Sequence, residues 1–196
     1  MHINELVLPY VTVQPFSITV RAGERWHIQG KNGSGKSTLL RIISGLEQAV
    51  TGTCQVYGEC VYLDQYFSLL DGELSALQNL QQLHPDSDES MLRTDLAGLR
   101  LRADTALQPV KQLSGGERLK VALLAVMHGE TAPDLLLLDE PDNHLDLESR
   151  LLLEQVLADY PGTLLLVSHD LALVAGISNA QAAVQTINVN TGAPYQ

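Results

Sequence analysis

Gly30-Lys31-Asn32-Gly33-Ser34-Gly35-Lys36-Ser37 fits the phosphate-loop pattern G-x-x-x-x-G-K-[ST]. Its glycines let backbone N–H groups turn inward around phosphate oxygens. A helix opening at the end of such a loop aims its partial positive charge at the same anion. Lys36 offers a full charge to β and γ phosphates, and Ser37 offers a hydroxyl to Mg²⁺. A glycine-rich turn with a chance lysine is the bland alternative, and the flanks argue against it. Trp26 to Gln29 reads as a short strand running into the loop, which itself reads as exposed. Leu39, Leu40, Ile43 and Leu46 follow at helical spacing, and Gly45 marks the expected stop.

Outward from the loop the pattern is α/β. Phe16, Ile18 and Val20 alternate with Ser17, Thr19 and Arg21, as in a half-buried strand, and Ala22-Gly23-Glu24 turns the chain. Thr51 to Leu63 is β-branched and aromatic with glycines inside, which suits a pair of strands. Leu77, Leu80 and Leu83 make one helical stripe, and Leu92, Leu96 and Leu99 another. His84-Pro85-Asp86-Ser87-Asp88 breaks them, so residues 70–112 read as a helical insertion. Leu135–Leu138 and Leu164–Val167 are continuous apolar runs, the pattern of strands buried on both faces of a parallel sheet. Leu147–Asp159 lies between them as a crossover helix, and the tail beyond Ala180 carries little pattern. The expected architecture is one domain over residues 1–196. It has a mostly parallel core sheet, an antiparallel β segment and the helical insertion.

Composition narrows the function classes. The 196 residues are 45% hydrophobic with a formal net charge of −11, a globular balance without the basic face of a non-specific nucleic-acid binder. Cys54 and Cys60 fit no zinc or redox spacing and read as reduced thiols, and the six histidines form no metal cluster. MHINELVLPY is not a signal peptide, and no apolar run approaches the ~20 residues of a membrane span. The expectation is a cytoplasmic protein with no direct membrane insertion.

Further polar groups sit where the α/β pattern puts ligand chemistry. Asp139 and Glu140 end the apolar run Leu135–Leu138. One carboxylate there can hold Mg²⁺ while its neighbour orients an attacking water. Leu113-Ser114-Gly115-Gly116-Glu117 precedes a helix, and reads either as an ordinary start capped by Ser114 or as a second anion-binding terminus. Such a second site makes sense if it serves another subunit's nucleotide. Gln65 is a lone polar residue on a loop and His169 one at a strand end, and taken singly each reads as an ordinary surface residue. Ser168-His169-Asp170 is no hydrolytic triad, because adjacent residues of an extended segment point to opposite faces.

Taken in order, GKNGSGKST, YLDQ, LSGGE, LLLLDE, PDNHLD and SHD resemble the motif set of the ATP-binding cassette (ABC) superfamily over residues 6–175. Glu117 closing the signature and NHLD at Asn143–Asp146 resemble a single cassette of the ABC-F subfamily more closely. The resemblance implies a P-loop NTPase fold and a nucleotide held by Gly30, Lys31, Asn32, Gly33, Ser34, Gly35, Lys36, Ser37 and Thr38. It implies Mg²⁺ at Ser37, Gln65 and Asp139, with Glu140, His169 and Gln65 in catalysis. Ser114, Gly115, Gly116 and Glu117 would face the ATP of an opposite cassette, and Asp146 would be the D-loop aspartate. The sequence departs from the family in places. ABC-F proteins carry two cassettes joined by a charged helical linker, whereas one cassette and no linker stand here. Asp142 occupies the position of a Thr. For the aromatic residue that stacks on adenine, Tyr10 is the nearby candidate upstream of Phe16.

The expected activity is ATP hydrolysis between two cassettes, in a homodimer or with a separate cassette protein, by a soluble ABC-F-like ATPase. The alternative is the ATP-hydrolysing subunit of a membrane transporter. A module that uses ATP only to dimerise is a third reading, against which Glu140 and His169 stand. The partners these readings imply are ATP, a second cassette, and either the ribosome or a membrane permease.

Overall fold

The computed structural model describes residues 1–11, 14–101, 103–129, 131–143, 145–178 and 183–189. Among them, β3 (Arg25–Gln29), β5 (Cys60–Leu63), β6 (Leu135–Asp139), β7 (Thr163–Val167) and β8 (Val184–Asn188) form a parallel sheet in the order β5-β6-β7-β3-β8. β1 (His2–Val7) pairs antiparallel with β2 (Phe16–Thr19) on one side and β4 (Thr51–Gln55) on the other.

The apolar runs behave as strands with two buried faces. Leu136 and Leu138 of β6 and Leu164 and Leu166 of β7 enter one hydrophobic cluster, while Leu135, Leu137, Leu165 and Val167 enter the other. The first cluster holds the insertion, with α2 (Ala76–Leu83), α3 (Glu89–Gly98) and α4 (Ala103–Ala106), together with α5 (Gly115–Met127), α6 (Leu147–Asp159) and α7 (Leu171–Gly176). The second holds α1 (Lys36–Ile43) and the antiparallel sheet. Each buried leucine contributes about 1.5–3 kcal/mol, so both layers hold the central strands in place. No helix of the described residues is long and apolar enough to cross a membrane.

Three details differ from the sequence reading. Leu46 is not part of the helical stripe. α1 stops before it in a Schellman motif, Gly45 at φ 78°, with Gly45 N–H to Ile42 O at 3.1 Å and Leu46 N–H to Arg41 O at 2.8 Å, leaving Leu46 63% exposed. The strands within Thr51–Leu63 do not pair with each other, for β4 joins β1 and β5 joins β6. The weakly patterned tail supplies β8, which pairs with β3 from Arg25↔Val184 to Gln29↔Asn188.

The start of β3 is tied to the end of α6 by a buried cation. Arg25 is 1% exposed, and its guanidinium donates to the carbonyls of Leu157 (2.8 Å), Ala158 (3.1 Å) and Tyr160 (2.7 Å). All three lie at the C-terminal end of α6, where a cation complements the negative helix end. Arg25→Leu is expected to lower unfolding free energy by about 3 kcal/mol, since hydrogen bonds to a charged group contribute about 1.5–3 kcal/mol each. Urea denaturation measures it. A loss under about 1 kcal/mol would show that the cap is not needed.

Candidate nucleotide site

β6, β7 and β3 are neighbours in the parallel sheet, so their C-terminal ends bring Glu140, Ser168 and Gly30 to one edge. Open α/β sheets bind ligands there. The glycine-rich loop needs its glycines for conformation: Gly33 has φ 75° and Gly35 φ 96°. At Gly35 a Cβ would also lie 2.9 Å from Leu8 Cδ1 and 3.1 Å from Val11 Cγ2. Gly35 is the N-cap of α1 without a side-chain cap, and no acid occupies the first turn, so that helix end is left for an anion.

Lys36 is buried, contrary to the exposed loop read from sequence. Its ammonium donates to Gly30 O (3.0 Å) and Lys31 O (3.2 Å), which closes the loop on its own cation. In front lies a cavity of about 480 Å³. Asn32, Gly33, Gly35, Lys36, Ser37 and Thr38 line one side, Glu140 and His169 another, and Tyr10 and Val11 the lip.

Asp139 sits behind Ser37. Its Oδ2 accepts from the Tyr62 hydroxyl at 3.1 Å, while its Oδ1 is buried with no hydrogen-bond partner. Burial raises the Asp139 pKa above the usual carboxylate range. The Ser37 and Tyr62 hydroxyls pull it back, Glu140 pushes it up and Lys36 lowers it. An orphaned carboxylate oxygen beside a hydroxyl is the kind of oxygen donor set that Mg²⁺ takes, completed by phosphates and water. The residues present fit that ion.

Glu140 leaves β6 in the left-handed region, φ 50°, while its N–H still bonds Val167 O at 2.8 Å. A non-glycine residue there is strained, as functional positions often are. The turn aims its carboxylate at the cavity, where Oε2 accepts from Asn143 Nδ2 at 2.7 Å and Oε1 lies 3.4 Å from His169 Nε2.

The other sequence candidates lie elsewhere. Gln65 is exposed on the turn after β5, outside the cavity lining. Ser114 caps α5 in a reciprocal box, its Oγ accepting from Glu117 N–H (3.2 Å) and Glu117 Oε2 accepting from Ser114 N–H (2.8 Å). Gly115 opens that helix, and a Cβ on Gly116 would collide with Ser149 Oγ. Asp146 caps α6 by accepting from Ser149 N–H at 2.8 Å, and this backbone bond lowers its pKa. None of these lines the cavity of Lys36. His144, within the NHLD stretch, lies outside the described residues.

The sequence profile described as ABC transporter matches residues 13–143. The chain belongs to the ABC transporter family. This ABC cassette is 40% identical over 151 residues to "Probable ATP-binding protein YheS" of Haemophilus influenzae, covering 76% of the chain and 23% of that protein. It is 38% identical over 177 residues to "Putative ATP-binding protein YdiF" of Bacillus subtilis, covering 87% and 27%. It is 36% identical over 174 residues to "ABC transporter F family member 5" of Arabidopsis thaliana, covering 86% and 25%. The cassette thus spans 23–27% of the length of these curated relatives, and it resembles a single cassette of the ABC-F subfamily. In structure it resembles a dimeric post-hydrolysis ATP-binding cassette bound to ADP and Pi (TM-score 0.78, 21% identity, 100% of this chain and 96% of that one). It also resembles an RNase-L Inhibitor (TM-score 0.71, 27% identity, 95% and 36%).

Sequence reasoning assigned no role to Tyr62, which holds Asp139, and marked Asn143 only as the start of NHLD, not as the residue that holds Glu140. Asn143 had a signal in its place three residues after Glu140, one turn away. Tyr62 had none, since only the parallel pairing of β5 with β6 sets it beside Asp139.

Proposed function

We propose that this cassette binds Mg·ATP in the cavity over Lys36 and hydrolyses it when a second cassette closes on the nucleotide. One observation carries the reading. A phosphate cradle with a buried lysine, an orphaned carboxylate oxygen on Asp139 and a strained, hydrogen-bonded Glu140 meet at one sheet edge.

In this reading the loop N–H groups, the N-terminus of α1 and Lys36 hold the β and γ phosphates. Ser37 and Asp139 would hold Mg²⁺, with Gln65 as a further oxygen ligand. The ion would supply positive charge to neutralise the reacting phosphate. Glu140 polarises water for in-line attack, and Asn143 keeps its carboxylate facing the cavity. His169 turns from Glu140 to the γ-phosphate. Tyr10, 91% exposed at the lip, offers a ring to the base. Ser114 to Glu117 lie outside their own chain's cavity, so they close on the partner's γ-phosphate, with Asp146 at the same interface.

The relatives' names and Glu117 favour an ABC-F-like cytoplasmic ATPase over a transporter subunit. A second cassette, as a homodimer or a separate protein, is the partner. The test is turnover against protein concentration. Turnover per chain should rise steeply with concentration and then level off, because assembly follows mass action. A turnover constant over a hundredfold dilution would rule out assembly of identical cassettes as the step that permits hydrolysis.

A further inference from the structure

His169 is 58% exposed through its side chain, and its ring stands between two cavities. One is the cavity over the phosphate loop. The other, of about 290 Å³, is lined by His27, Gln29, Gly30, Lys36 and Ser168, among others. A ring with so little packed against it takes its position from its backbone, and that backbone is anchored at Ser168 from two sides.

From one side, Ser168 Oγ donates to Asp142 Oδ2 at 3.0 Å and accepts from Asp170 N–H at 2.9 Å. Asp142 lies two residues after Glu140, at the position where the family pattern has a Thr, so this bond joins the Glu140 loop to the His169 loop. From the other side, the buried His27 ring bonds the Ser168 carbonyl through Nε2 at 3.0 Å. A carbonyl only accepts, so Nε2 carries the proton. Nδ1 then accepts from the Gln29 amide at 3.1 Å, which fixes a neutral tautomer. Burial, which lowers the His27 pKa, agrees with that neutral form. Gln29 ends the strand that enters the phosphate loop.

We propose that Asp142, Ser168 and His27 are positioning residues that hold His169 opposite Glu140, linking the phosphate-loop strand to both catalytic loops. None of them lines the phosphate-loop cavity, so each acts through His169. The catalytic consequence rests on the proposed hydrolysis, whereas the placement of His169 does not.

The test uses Ser168→Ala, Asp142→Ala, the double variant and Ser168→Thr. Ser168→Ala removes one oxygen and no bulk, so it is the variant least disposed to misfold. Each alanine variant should lower kcat about tenfold through displaced geometry, with KM for ATP within about twofold. The double variant should be no worse than Ser168→Ala, because that substitution already removes the bond to Asp142, along with the one from Asp170 N–H. Ser168→Thr, which keeps the hydroxyl, should restore turnover to within about twofold of the parent. Additive losses in the double variant, or an unchanged kcat in Ser168→Ala, would overturn the proposal. The nucleotide-free readout is the histidine ring NMR spectrum, with His169 assigned through His169→Gln. Its signal should move in both single variants, and the double should match Ser168→Ala. A stationary signal overturns the proposal whatever the turnover. A moved signal in a protein without ATPase activity upholds the positioning and overturns the hydrolytic reading instead.

Discussion

Glu140→Gln is expected to bind ATP with near-parental affinity, lose turnover by a hundredfold or more, and accumulate as an ATP-bound dimer. Gln reproduces the shape of Glu and can still accept from Asn143, whose amide holds Oε2 at 2.7 Å. It can also sit at the same φ of 50°, so the loop need not move. What it lacks is the negative charge that polarises water, a contribution of about 10²–10⁴ in rate. The dimer follows from where the anion sites lie. In the proposed reading a nucleotide in the Lys36 cavity is covered from one side only, and the Ser114–Glu117 helix start lies outside that cavity, free to meet the nucleotide of a second cassette. Head-to-tail packing satisfies both, and a nucleotide that is not hydrolysed keeps them satisfied. Light scattering with Mg·ATP and with Mg·ADP reads the outcome as dimer and monomer. A variant that stays monomeric in ATP would exclude the homodimer and leave a separate cassette protein as the partner.

Lys36→Ala is expected to weaken ATP binding by about a hundredfold, or about 2.7 kcal/mol. The ammonium is buried in the loop, and truncating a buried partner of a charged group costs about 2–5 kcal/mol. The same variant should lose about 1–2 kcal/mol of nucleotide-free stability, because the Gly30 and Lys31 carbonyls lose their donor. The fold should survive, since neither hydrophobic cluster is touched. Calorimetric titration with ATP beside thermal melting separates the two effects. Parental affinity in the variant would move the nucleotide site away from this loop.

Much of the scaffold was legible because its signals are local. Leu135–Leu138 and Leu164–Val167 read as doubly buried strands because every side chain in them is apolar, and both faces are buried. Leu147–Asp159 read as a crossover helix and is α6. The insertion stripes correspond to α2 and α3, with Leu77, Leu80, Leu92 and Leu96 buried together, but Leu83 at the end of α2 is exposed. Leu46 misled because apolar spacing continues past a stop that glycine sets through backbone geometry. β1 and β8 were not recognised. Their residues become strands through partners far away in sequence, β2 and β4 for one and β3 for the other.

The sequence by itself determined the phosphate loop, the strand and helix that flank it, and the acids that follow an apolar strand. Each depends on residues within one turn or one strand, where conformational preference and periodicity act directly. Only the tertiary structure decided that Lys36 is buried, that Tyr62 takes one oxygen of Asp139 and leaves the other bare, and that His169 stands 3.4 Å from Glu140. Those facts depend on which strands become neighbours. The order β5-β6-β7-β3 places residues tens of positions apart at one sheet edge, and no local pattern specifies a distance between side chains on different strands.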